Sequence, residues 1–351
     1  MEKYKKPSLE YSSHLGDRLC HYFANKNLEK ALWYNNRFFE PDNFIYIIKK
    51  DLYKTTMSEL KIIFKKYKNY YKKLWRGEDL TDKTVFVFGY FCGLGDYIIF
   101  SRYLRILEKM AKKLIIEVDD NLTSLYRYNF PNSKIILKQP FERTDLEYDY
   151  TCHHEHLLNM QKDLNTFPYP EGYLDADPKL VEKFKPLFNT DKLKVGIFHE
   201  NNVDEDERHI RINKMFPIFK NQQCQFYTLN SDKSKPCAKE IHERFNMIEL
   251  QPYINDTHDT AALMKNMDLI ISTDSFPPNL SGALGIKTYM LLHECAGWRW
   301  FNDYYTTPWF NSIKLLRRTP YTTIENQINE MARILEQECA EYYSKKSLVN
   351  I

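Results

Sequence analysis

The stretch Thr84-Val-Phe-Val-Phe-Gly89, followed by Gly93-Leu-Gly95-Asp96, decides the fold. The first run is apolar, β-branched and aromatic and ends in glycine, which predicts a buried strand. From residue 97 to residue 112 the apolar side chains recur every three or four positions, which predicts a helix. Two more apolar runs, at 114–118 and 134–137, predict strands. Strand, helix and strand at this spacing predict a βαβ unit with a parallel sheet.

A second series of the same kind follows residues 185–192, which are charged, contain Pro186 and are interpreted as a linker. Helical stretches such as 259–265 separate its predicted strands, and a final helix is predicted over 323–343. The predicted strands are 193–198, 225–229, 247–250, 268–272 and 287–292. The sequence therefore predicts an α/β protein with two doubly wound parallel sheets.

The first 80 residues predict a small helical region. From 57 to 75 the apolar and aromatic residues share one helical stripe, and most lysines lie off it. The interpretation we favour is a solvated basic face. The alternative is a basic surface for peripheral contact with an anionic acceptor or a membrane lipid.

Composition excludes several classes of protein. The 351 residues include 50 Lys+Arg and 47 Asp+Glu, and this balance argues against a nucleic-acid binder. The sequence has no run of roughly 18 apolar residues, so no transmembrane helix is predicted. The N-terminus has no apolar segment typical of a secretory signal. The seven cysteines are odd in number and lack metal-site spacing, which predicts free thiols and a cytoplasmic location. The oligomeric state is left open.

Two loops hold most of the glycines. Only ten residues are glycine, with three between 89 and 95 and three between 282 and 297. The first loop lies where a strand ends and a helix begins, a place that suits an anionic ligand. A dinucleotide fingerprint fails because Ile98 stands where its third glycine belongs, which disfavours a nicotinamide enzyme.

Asp96 stands at the start of the first predicted helix and has two interpretations. It could cap the helix, as aspartate commonly does. It could also take a proton from an attacking hydroxyl as a general base. Position alone does not separate the two.

The second loop, residues 272–285, has the same order of strand end, polar turn and helix start. Its small residues Ser281 and Gly282 would let a diphosphate approach the backbone. The alternative is a tight turn in which Asp274 and Ser275 satisfy local amides. Two such loops on two sheets favour a nucleotide-type ligand between the domains.

Two other segments have alternative interpretations. Cys152-His-His-Glu-His156 looks like a metal cluster, but adjacent residues cannot all reach one ion without a tight fold, so no metal site is predicted. A polar interdomain loop, or acceptor contact through one histidine, is favoured. The aromatic residues near 298–310 are interpreted as a packed satellite core, with sugar or base stacking as the alternative.

The residues also carry a resemblance. Three stretches resemble the glycosyltransferase domain found behind tetratricopeptide repeats in many bacterial proteins. They are Trp75-Arg-Gly-Glu-Asp-Leu-Thr-Asp-Lys-Thr-Val-Phe-Val-Phe88, Gly93-Leu-Gly-Asp96 and Phe100-Ser-Arg-Tyr-Leu104. That domain is related to the lipopolysaccharide heptosyltransferases of glycosyltransferase family nine. Further matches are Ile116-Glu-Val118, Phe130-Pro131, Asp175-Ala-Asp-Pro178, Val195-Gly196, Asp268-Leu-Ile-Ile-Ser-Thr-Asp274, Leu280-Ser-Gly-Ala-Leu-Gly285, Trp298-Arg-Trp300 and Thr307-Pro-Trp-Phe310.

The resemblance implies a glycosyltransferase-B fold, in which two Rossmann-like domains face each other across the cleft that holds the active site. The implied divisions are a helical region at 1–80, an acceptor domain at 81–186, a donor domain at 187–322 and a helix and tail at 323–351. Asp96 matches the family's catalytic base, and Asp274 matches the aspartate of its donor-binding loop. The candidate binding residues are Gly93, Gly95, Arg208, Arg211, Asp274, Ser275, Asn279, Ser281, Gly282 and Trp298.

The chain departs from the family at several places. Phe91 and Cys92 stand where the family has Glu-Gln, and Asn279 stands where it has a histidine. The family's basic turn after the first strand of the donor domain has no clear match in residues 199–211. Arg208 and Arg211 are the candidate phosphate partners in this segment.

The resemblance implies an inverting, metal-independent glycosyltransferase of the hexosyl- or heptosyl-transferase class. It would move a sugar from a nucleotide-sugar donor to a hydroxyl of a glycan or protein acceptor. The nucleotide sugar is a co-substrate, and no cofactor is expected. The departures from the family motivate one alternative, a non-catalytic binding or scaffold protein on the same fold. A sugar-nucleotide epimerase is the third hypothesis.

Overall fold

The computed structural model describes residues 30, 69–89, 92–139, 143, 145–199, 210–230, 236–294, 296, 298–301, 305–319 and 321–349. The chain divides into two compact units. The first comprises residues up to Pro168 together with Trp298–Asn302, and the second comprises Tyr169–Gly297 and the residues from Asp303 onward. Most of the predicted N-terminal helical region lies outside the described residues, as do Phe91 and Arg208.

The first unit contains a four-stranded parallel sheet in the order β3-β2-β1-β4. Its elements are β1 (Thr84–Phe88), α1 (Leu94–Met110), β2 (Lys113–Val118), α2 (Thr123–Asn129), β3 (Lys134–Leu137) and β4 (Tyr150–His153). The three strands and the long helix predicted here are confirmed, although α1 begins three residues earlier than predicted because Gly93 already serves as its cap. All of β1 after its first residue is buried.

Strand β4 corrects the interpretation of residues 152–156 as a polar loop. Its residues Thr151, Cys152 and His153 are buried, and it pairs with β1 in parallel. On its other side Thr151 donates to the Lys73 carbonyl and accepts from the Trp75 amide, both at 2.8 Å. Residues 150–153 show no alternation of apolar and polar residues, because polar side chains occupy buried positions.

The second unit contains a six-stranded parallel sheet in the order β10-β9-β8-β5-β6-β7. Its strands are β5 (Leu193–Phe198), β6 (Cys224–Thr228), β7 (Ile248–Glu249), β8 (Leu269–Thr273), β9 (Thr288–Leu292) and β10 (Ile313–Arg317). Its helices are α3 (Pro178–Phe184), α4 (Phe216–Phe219), α5 (Pro236–Arg244), α6 (Thr257–Met264), α7 (Phe276–Ala283) and α8 (Ile324–Val349). The five predicted strands are confirmed, and β10 was missed.

The segment interpreted as a linker is packed structure. Residues Lys185–Phe188 form a 3₁₀ helix, and the buried Phe188 ring lies 4.5 Å from the ring of Tyr227. The second unit begins earlier, at Tyr169, because the backbone amides of Tyr173 and Leu174 both donate to the carbonyl of Ala283. These contacts fix residues 169–192 within the second unit.

The final helix α8 completes the core of the second unit and is longer than predicted. Its buried residues Ile328, Met331 and Leu335 pack with those of β5, β6, β8 and β9. At its start, the Gln327 amide donates to carbonyls at the carboxyl ends of β9 and β10. The helix is thereby tied to the edge of the sheet where both strands end.

Candidate functional site

Asp96 is the third residue of α1, and its carboxylate occupies the start of that helix. Oδ2 accepts a hydrogen bond from the Gly93 amide at 3.1 Å, so the capping interpretation is confirmed. The first amides of a helix lack partners within it and carry a partial positive charge, which attracts anions. The chain itself therefore supplies the negative charge that the sequence assigned to a ligand at this helix start.

The other carboxylate oxygen of Asp96 pairs with a cation. Oδ1 contacts Nη2 of Arg299, which lies in the short 3₁₀ helix Trp298–Trp300. The same Nη2 lies 3.4 Å from Oε1 of Glu155. The side chains of Asp96, Arg299 and Glu155 are 17%, 25% and 26% exposed, so solvent reaches each of them. We call these three residues the acidic site; all of them belong to the first compact unit.

Glu155 has a strongly perturbed ionisation. The pKa of Glu155 is raised to about 7: burial is the largest cause, the negative charge of Asp96 adds to it, and the Arg299 guanidinium opposes both effects. A general base works best when its pKa is close to the working pH. The acidic site therefore combines a capped, ion-paired carboxylate with one that exchanges its proton near neutrality.

His153 fixes the backbone beside Glu155 and leaves Cys92 as a thiol. The Glu155 amide donates to His153 Nδ1 at 3.2 Å, so the neutral ring carries its hydrogen on Nε2. That nitrogen lies 3.8 Å from Cys92 Sγ and cannot accept the thiol proton. Burial, with the charges of Glu155 and Asp96, also raises the pKa of Cys92 well above its ordinary value. A Cys–His nucleophile is therefore excluded here.

Gly89 at the end of β1 allows α1 to pack closely. A Cβ atom at this position would overlap the ring of Tyr97, the residue after Asp96. The Tyr97 ring also meets His154 edge-on, with centroids 4.6 Å apart. The glycine thus serves packing and sets where the start of α1, and Asp96 with it, lies.

The second turn, between β8 and α7, differs chemically from the first. Asp274 and Ser275 are half-buried, and the Ser275 hydroxyl donates to the Thr273 carbonyl. Helix α7 begins at Phe276 and continues with Pro277 and Pro278, which have no backbone N–H. Two of the first three residues of α7 therefore have no amide to offer to an anion, and the diphosphate site at this turn stays a prediction.

Three predicted donor-binding residues of α7 have structural contacts. Asn279 is buried, and its amide donates to the Ser275 carbonyl at 2.8 Å. The hydroxyl of Ser281 donates to Pro278 and accepts from Thr288. A Cβ at Gly282 would lie 2.5 Å from Phe310 Cδ1, so an aromatic ring packs directly against this glycine. Their role in donor binding stays a prediction that these contacts do not support.

The remaining candidates are spread over the chain. Gly95 lies in the first turn of α1, and Arg211 is exposed at the start of the 3₁₀ helix Ile212–Met215. The side chain of Trp298 lies outside the described residues, as does all of Arg208. Three of the aromatic residues, Trp300, Trp309 and Phe310, are at most 1% exposed, which confirms the packing interpretation for them.

Sequence reasoning missed Glu155 and assigned no role to Arg299. Glu155 follows β4, so the missed strand also hid the fact that this carboxylate stands at a strand end. Arg299 was noted only as part of an aromatic run, and no local pattern indicates that it pairs with a residue of α1. The available signal was the occurrence of a single arginine between two tryptophans.

The described residues contain neither a metal-binding cluster nor a membrane-spanning helix. Within that part of the chain no group of three or more His, Cys, Asp or Glu side chains could hold a metal ion. Over the same ranges, no helix has both the length and the apolar character needed to cross a bilayer.

Solved structures show which fold this is. A glycosyltransferase family 9 structure from Veillonella parvula superposes with a TM-score of 0.54 and 13% identity, covering 73% of this chain and 93% of that one. ADP-heptose lipopolysaccharide heptosyltransferase II from E. coli superposes with a TM-score of 0.52 and 13% identity, covering 73% and 99%. The chain therefore has the heptosyltransferase-like fold of glycosyltransferase family 9, which confirms the predicted fold class.

Sequence comparison finds a relative over most of the chain. No protein-family model matches the chain. Protein FlbA from Caulobacter vibrioides is 24% identical over 296 residues, which cover 76% of this chain and 48% of FlbA. The chain thus spans about half the length of this curated relative.

Proposed function

We propose that this chain is an inverting glycosyltransferase that moves a sugar from a nucleotide-sugar donor to a hydroxyl group of a glycan or protein. The fold supports the class of reaction, and the acidic site supports the mechanism. A hydroxyl group attacks an anomeric carbon well only if a base removes its proton as the new bond forms. Asp96 is the base expected from the sequence, and it lies in the site that receives this proton.

The observation that carries the proposal is the fixed position of the Asp96 carboxylate. Gly93 holds one oxygen and Arg299 holds the other, so the group cannot turn away from its place at the start of α1. Fixing a catalytic group before substrate binds removes an entropic cost from the reaction. The remaining exposure of Asp96 and Glu155 leaves room for a hydroxyl to approach.

The proposed donor contacts belong to the second unit. Asp274 and Ser275 are the half-buried polar residues at the end of β8, and Arg211 is an exposed cation near the end of β5. Arginine is suited to a leaving diphosphate, because its N–H groups can bind two phosphate oxygens at once. No metal ion is required in this scheme, since cationic side chains stabilise the departing group.

Release of nucleoside diphosphate tests the proposal. The protein would be incubated with a panel of nucleotide sugars, with and without glycan and peptide acceptors. The release of nucleoside diphosphate would be measured. We expect turnover with at least one donor and a large but measurable decrease in that turnover in Asp96→Asn, whose amide oxygen still caps α1. Donor binding without turnover by the wild type would instead support the non-catalytic alternative, and absence of binding to every donor would contradict the proposal.

A further inference from the structure

Two carboxylates share one guanidinium nitrogen in the acidic site, and this arrangement carries an inference that rests on the proposed function. We infer that Glu155 is a second catalytic residue, which receives the proton of the acceptor hydroxyl while Asp96 holds Arg299 and orients that hydroxyl. The inference deepens the proposed function by dividing the work between two carboxylates.

Both carboxylate oxygens of Asp96 already have a partner. One oxygen accepts from the Gly93 amide and the other contacts Arg299. Each oxygen of a carboxylate can accept more than one hydrogen bond. Asp96 is therefore suited to holding Arg299 in place while it also accepts a hydrogen bond from the hydroxyl.

Glu155 has the opposite contacts. Its distance of 3.4 Å from Arg299 Nη2 is longer than a strong charge-assisted hydrogen bond, which spans about 2.7–2.9 Å. A proton on Glu155 leaves the pair of Asp96 and Arg299 intact and removes one of two neighbouring negative charges. Like charges held close together favour protonation of one of them.

The other titratable groups near Glu155 remain neutral at neutral pH. Burial is the main cause that raises the pKa of Tyr71 and the pKa of Cys92 well above their ordinary values. His153 accepts a hydrogen bond at Nδ1 and is therefore in its neutral form. Among the residues that the structure describes, Asp96 and Arg299 are thus the charged groups that face Glu155, and its pKa of about 7 makes it an available proton acceptor under these conditions.

In the transfer step, one bond to the anomeric carbon forms as another breaks. The acceptor oxygen forms a bond to the anomeric carbon as the bond from that carbon to the phosphate oxygen breaks. The electron pair of the broken bond leaves with the nucleoside diphosphate. The proton of the acceptor hydroxyl passes to a carboxylate oxygen of Glu155, which later releases it to water.

The test is the pH dependence of kcat/KM in the wild type and four variants of the full chain. We expect wild-type kcat/KM to rise with pH through a limb near pH 7, where Glu155 of the free protein loses its proton. Glu155→Gln should lower kcat/KM about 100-fold at pH 8 and abolish this limb. Asp96→Asn should move the limb to lower pH, because it removes the negative charge that raises the pKa of Glu155. Glu108→Gln, the same change elsewhere on α1, should leave the profile unchanged.

The outcomes separate the inference from the function on which it rests. A Glu155→Gln protein that keeps the wild-type limb overturns the inference and leaves the glycosyltransferase proposal standing. Absence of turnover in the wild type overturns both. Glu155→Asp keeps a carboxylate and should keep the limb with reduced kcat/KM. If Glu155→Asp loses the limb while its circular dichroism matches the wild type, the inference is also overturned.

Discussion

The two β–α turns that hold most of the glycines look alike in sequence and differ in chemistry. The turn after β1 places a carboxylate on the start of α1 and pairs it with an arginine. The turn after β8 is followed by two prolines, and its small residues pack against Thr288 and Phe310. Similar spacing of glycine and polar residues therefore does not establish a similar ligand, because the backbone N–H groups and the neighbouring side chains decide what can bind.

The largest difference should appear between the two aspartates of these turns. Asp96→Asn is expected to lower kcat by about 100-fold or more, because the acceptor hydroxyl loses the carboxylate that orients it, with little change in KM for the donor. Asp274→Asn, the matched variant of the second turn, is expected to raise that KM about 10-fold and leave kcat nearly unchanged. Steady-state kinetics with one donor measures both.

The opposite pattern would contradict the division between the turns. If Asp274→Asn lowered kcat and left KM unchanged, the second turn would take part in the chemical step. Thermal unfolding of both variants is the control, since asparagine keeps the shape of aspartate.

The ionisation of Glu155 should also be visible in the free energy of unfolding. Its pKa is about 7 in the folded protein and about 4.5 in the unfolded chain, so between these values the folded state binds more protons. Stability therefore falls as pH rises from about 4.5 to 7, on the order of 3 kcal/mol in all. Urea unfolding at several pH values measures this slope.

Glu155→Gln supplies the control for that slope. The difference in stability between variant and wild type should grow in favour of the variant across this pH window and stay constant above pH 8. A constant difference at every pH would show that Glu155 ionises in the folded protein as it does in the unfolded chain.

Packing at Gly282 can be tested by adding one methyl group. Gly282→Ala should lower the free energy of unfolding by about 1–3 kcal/mol, because the new Cβ would lie 2.5 Å from the Phe310 ring. Donor affinity should not change, since this space is filled by protein. Chemical denaturation and donor titration measure the two effects.

A smaller side chain at position 310 tests whether the Phe310 ring causes the loss of stability in Gly282→Ala. In the Phe310→Leu background, Gly282→Ala should cost less stability than in the wild type, because the ring that it meets is gone. A loss of donor affinity without a loss of stability would return Gly282 to the role that the sequence suggested.

The smallest expected effects belong to two serines of the second turn. Ser275→Ala should weaken donor binding about 3- to 10-fold, equivalent to one net hydrogen bond. Ser281→Ala should leave donor binding unchanged and lower the free energy of unfolding by about 1 kcal/mol, because Thr288 keeps only the Ile286 carbonyl as an acceptor and the Pro278 carbonyl loses its donor. Calorimetric titration measures donor binding and urea unfolding measures stability in both variants. If Ser281→Ala weakened donor binding and Ser275→Ala lowered only stability, the roles assigned to the two serines would be reversed.

The fold was largely predictable because most of its strands are apolar. Strand β1 and helix α1 differ in hydrophobic period, and that change is visible in the sequence. Strand β4 was missed because Tyr150, Thr151, Cys152 and His153 are not an apolar run, although the last three of them are buried. Their burial depends on neighbours far away in sequence, such as β1 and residues 73–75.

The candidate site was predictable only in part, for a related reason. Asp96 follows directly from the turn that starts α1, so local sequence was enough to select it. Arg299 and Glu155 meet Asp96 through tertiary contacts, and no spacing rule connects position 96 with positions 155 and 299. The prolines at 277 and 278 were visible in the sequence, and they could have shown that this helix start has fewer amides to offer.

Arg299 reaches the first unit from a late position in the chain. Domains tend to fold in order as a ribosome delivers them. A nascent chain that has already emerged past Glu155 still lacks the guanidinium of Arg299. Because that guanidinium lowers the pKa of Glu155, Glu155 would hold its proton more tightly until residue 299 joins the unit. The enzyme proposed here would consequently be inert throughout most of its own synthesis, and a fragment that stops at Pro168 would carry the acids without their counter-ion.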